Sequence, residues 1–209
     1  MNSFVSAWSW SSPGTWIVLA ILALSVFALA VFLERLWALQ RAKVIPRGFT
    51  IRIRDLVTRE EIPEALTLCK TDDSPVARVM MVGLRAYGRP RGVVKEHLEE
   101  IGRFEARELM RWSGAIAVIS RVAPLMGLFG TVWGMIDVFA AIEEFGVGNA
   151  GALAGGIGTA LYTTFAGLMV AIPAHLAHAY IESRADRLIA HMEETSLEML
   201  DLLKAPEEE

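Results

Sequence analysis

The chain has 209 residues, 54% of them hydrophobic, with a mean hydropathy of +0.41 and a formal net charge of −4. That apolar share is well above what a soluble domain carries, and the mild acidity, with no basic stripe interleaved with aromatics, excludes a nucleic-acid binder. The single cysteine, Cys69, rules out an intrachain disulfide and belongs to no metal-ligand spacing, so neither a metal nor a cofactor is expected.

A membrane protein is therefore the starting class, and the chain is read in order on that basis. Residues 1–33 contain no Asp, Glu, Lys, Arg or His, and Trp16 to Leu33 is an apolar run long enough to cross most of a ~30 Å hydrocarbon core. A cleaved signal peptide would place its positive charge before the run. Here the charges follow it, so the run reads as a retained first membrane helix. Trp8, Trp10 and Trp16 precede or open the run, where indoles favour the interface. Glu34, Arg35, Arg41, Lys43, Arg47, Arg52 and Arg54 come next, which puts this end in the cytoplasm and the N-terminus outside. Glu34 beside Arg35 reads as an interfacial ion pair, not a proton site.

After this first section, residues 1–41, residues 42–113 form a polar, cytoplasmic helical insertion. Ile62 to Lys70 and Ser74 to Tyr87 have the texture of short amphipathic helices, and Gly88, Arg89 and Pro90 mark a break. From Val93 on, Val94, Leu98, Ile101, Ala106, Leu109 and Trp112 recur at helical spacing among many charges, and this helix is expected to run unbroken into the membrane. Its carboxylates read as a solvated or subunit-contacting face. No His or Cys stands beside them as base or nucleophile, and no phosphate-cradle or hydrolase motif occurs, so an enzyme is not expected.

Residues 114–180 hold the second and third membrane helices, about Ala115 to Ala141 and about Ala150 to Tyr180. Both are rich in small residues, which suits close helix packing: Gly127, Gly130 and Gly134 in one, Gly155, Gly158 and Gly167 in the other. Both carry hydroxyls within the apolar run, Thr131 in the first and Thr159, Thr163 and Thr164 in the second, so their inner faces are expected to line a narrow polar path. Arg121 and Asp137 lie 16 positions apart, about 24 Å along a helix, and mark candidate mouths of that path near the hydrocarbon edges. Pro124 and Pro173 interrupt the backbone ladders. The link between the helices holds Glu143, Glu144 and Asn149 but no Lys or Arg, as expected outside, whereas Arg184 and Arg187 follow the third helix inside. Residues 181–209 read as a cytoplasmic continuation of that helix, with Leu188, Met192, Met199 and Leu203 among charges, ending in a frayed AlaProGluGluGlu tail. A threonine in a membrane helix commonly returns its hydroxyl to its own backbone. Several on two Gly-rich helices also suit hydrogen-bonded water or a partner's carboxyl, but a hydroxyl cannot itself take up and release a proton at neutral pH.

The segment GLFGTVWGM at 127–135, followed by GIGTALYTTFAGLMVAIP at 156–173, resembles the paired membrane signature of the ExbB/TolQ/MotA proton-channel family, closest to its ExbB and TolQ branch. The likeness extends to GluArgLeuTrp at 34–37, the order of three helices and the size of the insertion. It implies an all-α polytopic fold, a homopentamer around a central pore, and a bacterial inner-membrane location, with the outside N-terminus therefore in the periplasm. It also implies an ExbD/TolR-like partner whose single membrane helix supplies the proton-carrying aspartate, and work passed to a TonB- or Pal-like effector. By the same resemblance Thr131 and Thr164 match the family's pore threonines, and Pro173 its proline near the cytoplasmic end. Thr159 stands where enteric relatives have a glutamate, which leaves titration to the partner. A gliding-type motor of the same family, or a non-conducting scaffold in which Gly and Thr serve packing alone, are the alternative readings.

Overall fold

A computed structural model describes residues 13–146 and 150–202. Trp8, Trp10, Asn149, Leu203 and the AlaProGluGluGlu tail lie outside the described residues. In chain order the elements are α1 (Pro13–Ala38), α2 (Arg41–Val44), α3 (Arg47–Thr58), α4 (Ile62–Thr71), α5 (Pro75–Arg85), α6 (Arg91–Met110), α7 (Ser113–Phe145) and α8 (Ala150–Leu202), with no strand among the described residues. Three of these, over Gly14–Ala38, Ser113–Phe145 and Leu153–Leu202, are long and apolar enough to cross a membrane.

The chain divides into two compact units, one formed by α1 up to Leu33 with Trp112–Ala179, the other by Glu34–Arg111 with Tyr180 onward. In the first unit the buried positions of α7 are Ile116, Ile119, Ala123, Gly127, Gly130, Gly134 and Val138. Their spacing of three and four residues is one stripe of a helix. Ala160, Thr163, Gly167, Ala171 and Ala174 form the matching stripe of α8, and Ile17, Ile21 and Ala28 that of α1. The remaining faces carry exposed Phe27, Leu125, Phe129, Phe139, Leu161 and Phe165. Such a surface belongs against lipid or other subunits, not water. Both helices continue through their prolines, Pro124 in α7 and Pro173 in α8.

The second unit is a conventional helical core. Phe49, Ile53 and Val57 of α3, spaced by four, are buried, as are Cys69 of α4, Val76, Val79, Met80 and Leu84 of α5, and Val94, Leu98 and Leu109 of α6. Ser74 caps α5 by accepting the Ala77 N–H at 3.3 Å, and Pro75 follows at the first helical position, where its missing N–H costs nothing. Ile181, Leu188, Met192, Met199 and Leu200 of α8 complete the interior. Arg184 Nε donates to the Leu39 carbonyl at 2.9 Å, and Arg54 pairs with Glu198 and Arg91 with Asp201. Arg35 clamps Glu34 through Nε and Nη2 at 2.5 and 2.6 Å, the ion pair read from the sequence.

Two expectations need correction. The helix from Val93 does not run unbroken into the next: α6 ends at Met110, and Trp112 adopts φ 66, a left-handed conformation that interrupts the ladder before α7 begins at Ser113. Glu105, grouped with the solvated charges, is 1% exposed, and Arg78 of α5 donates to both its oxygens at 2.6 Å.

Candidate functional site

The seam between α7 and α8 is built backbone to backbone. A Cβ on Gly127 would fall 2.9 Å from the Thr163 carbonyl oxygen, one on Gly134 2.6 Å from that of Gly156, and one on Gly167 2.6 Å from that of Ala123. These atoms cannot rotate away, so only glycine fits. The pairing of low α7 numbers with high α8 numbers makes the helices antiparallel. Gly130 sits against the Thr163 side chain, and Gly156 and Gly14 are further close-approach glycines. Gly158 meets nothing nearer than Tyr162 of its own helix at 4.0 Å, and Gly155 meets nothing within 4 Å.

The four threonines fall into three environments. Thr163 is 1% exposed in the seam, its Oγ1 donating to the Thr159 and Ala160 carbonyls at 3.0 Å each. Thr159 donates to the Gly155 carbonyl at 3.1 Å, and its methyl meets Gly14 of α1. Thr164 donates across the seam to the Gly127 carbonyl at 3.3 Å, and Thr131 to the Leu128 carbonyl at 2.6 Å. At about 100° per residue, Thr131 lies about 40° from Gly127 around α7, and Thr164 about 60° from Gly167 around α8. Because the helices are antiparallel, equal signs of rotation point to the same side of the seam. Thr131 and Thr164 therefore share one side, on the flank away from Thr159. Asp137, about 80° the other way, falls on the Thr159 flank, whereas Arg121, about 160° from Ala123, lies on the face turned away from the seam. Both charged residues are exposed, as is Pro173.

The chemistry of the shared side follows from the hydrogen bonds. Thr131 and Thr164 each donate their proton to a carbonyl, so what they offer a visitor is an acceptor oxygen. An acceptor favours a protonated carboxyl over a carboxylate, which is also the form an apolar environment favours. One feature has no sequence signal: the buried indole N–H of Trp133, whose ring lies 6.4 Å from that of Phe129, finds no acceptor among the described residues.

Comparison with known proteins converges on the same helices. The family model described as the MotA/TolQ/ExbB proton channel family matches residues 71–194, more than half of the chain. The biopolymer transport protein ExbB of Neisseria meningitidis serogroup A is 29% identical over 182 residues, covering 80% of each chain. The Tol-Pal system protein TolQ of Pseudomonas aeruginosa is 27% identical over 200 residues, covering 88% of this chain and 86% of its own.

Proposed function

Because the chain belongs to the MotA/TolQ/ExbB proton channel family, we propose that it is the stator subunit of a proton-driven motor in a bacterial inner membrane. It works with an ExbD/TolR-like partner whose membrane helix brings the titrating aspartate. In this reading five copies surround a central pore, and the N-terminus faces the periplasm. Thr131 and Thr164 line the pore, Thr163 and the glycines hold its wall, and Thr159 braces that wall against α1. The observation that carries the reading is the pair of acceptor hydroxyls on one side of the glycine-lined seam.

The pair receives the protonated carboxyl of the partner and lowers the cost of its passage through hydrocarbon. One charge moved across 100 mV is worth about 2.3 kcal/mol, so a few such steps remodel an interface. Asp137 and Arg121 lie near opposite edges of the span, where long or solvated side chains tolerate the boundary.

The test is proton flux into liposomes holding this chain and its partner under an imposed potential. Replacing Thr131 and Thr164 together by Val removes two hydrogen bonds, about 1–3 kcal/mol, and flux is expected to fall roughly 10- to 100-fold. The partner's aspartate changed to asparagine is expected to abolish it. Undiminished flux in both variants would make the threonines packing residues and favour a scaffold.

A further inference from the structure

The membrane part of α8 holds a titratable group that the path described so far does not use. From Phe165 to Ala174 the helix carries only apolar side chains and Gly167, and His175 is then the first ionisable residue after Thr164. Eleven residues separate the two, which is three turns with about 20° left over and a rise of about 16 Å. His175 therefore stands on the same side of the seam as Thr164 and Thr131, displaced toward the Arg184 end of the helix, and its side chain is exposed. On α7 the same side carries Ser120, whose hydroxyl donates to the Ala117 carbonyl at 2.9 Å. Thr131, Thr164, Ser120 and His175 thus share one side of the two helices, with the imidazole last in the direction of Arg184.

We propose that His175 is the proton acceptor at the cytoplasmic end of this side. The proposal rests on the stator reading above. A proton leaving the carboxyl at the level of Thr164 is carried over the intervening rise of about 16 Å by hydrogen-bonded water, each molecule accepting one proton and passing on another, to the unprotonated ring nitrogen of His175, and is released from the imidazolium to cytoplasmic water. Imidazole is suited to this because one ring nitrogen can accept a proton while the other releases one. The charged and titratable groups toward this end include Tyr180 of α8. On α7 there is Arg121, on the face turned away from the seam. On α8 there is His178, which is already engaged, then Glu182. The described part of α1 carries no charge before Glu34, which is clamped by Arg35.

Two measurements on the full pair in liposomes test this. With Cys69→Ser as background, His175→Cys is expected to react with a charged, membrane-impermeant thiosulfonate. Reaction with a lipid-soluble maleimide alone would put position 175 in the bilayer and overturn the proposal. In flux assays His175→Gln is expected to lower the rate at least tenfold and to weaken its dependence on cytoplasmic pH. Thr131→Val with Thr164→Val lowers flux at every pH. Flux unchanged in His175→Gln overturns the role of His175 and leaves the stator reading standing; no flux in the native pair overturns both.

Discussion

Cys69 shows how burial silences a reactive group. Its thiol is 1% exposed in α4, and burial, with the charge of Asp72 second, pushes its pKa from 9.0 up to about 12. The folded protein keeps this proton where the unfolded chain has lost it, so the protonated thiol's contribution is complete below pH 9 and is lost as pH rises toward 12. Stability is expected to fall by about 1.4 kcal/mol per pH unit across that window, as read by chemical denaturation at stepped pH. At pH 8 an aromatic disulfide reagent should leave the native thiol untouched and react after unfolding. A second residue-scale expectation concerns Glu105. Arg78→Ala leaves its buried carboxylate without the bidentate partner, and a loss of about 3 kcal/mol or more is expected in urea unfolding, against a smaller loss for Glu105→Gln. Neither environment was legible beforehand: Glu105 sits among Glu99, Glu100 and Glu108 with the same local texture, and only its pairing with a helix 27 residues earlier buries it.

At the scale of elements, the glycines of α7 and α8 look alike in sequence and are not alike in space. Gly134→Val drives a side chain into the Gly156 carbonyl, and a loss of about 1–3 kcal/mol is expected in thermal unfolding in detergent. Gly158→Ala meets open space and gains helix propensity, so unfolding temperature should hold or rise. Helix existence was legible because apolar runs, prolines and charges punctuate this chain strongly, and Ile62–Thr71 and Pro75–Arg85 fall where the amphipathic pattern put them. The break at Trp112 was not. It is a backbone event at a residue whose side chain continues the apolar period, so periodicity runs straight across it. Around α8 the pattern of hydroxyls gave their number but not their direction. Three threonines within six residues point to α1, into the seam and to the open side, and only the register against Gly14 and Gly127 separates them.

For the whole molecule, membrane class and family were carried by composition and by the two long motifs, and the match over residues 71–194 bears that out. The exposed aromatic and aliphatic side chains of α1, α7 and α8 form an apolar surface open to division between lipid and other proteins. The glycine seam has a mechanical consequence for that division. Two helices in backbone contact have almost no soft side-chain layer between them to compress or shear, so α7 and the adjoining part of α8 behave as one stiff plank. Of the contacts in the membrane unit, the seam is therefore the one least able to yield under load.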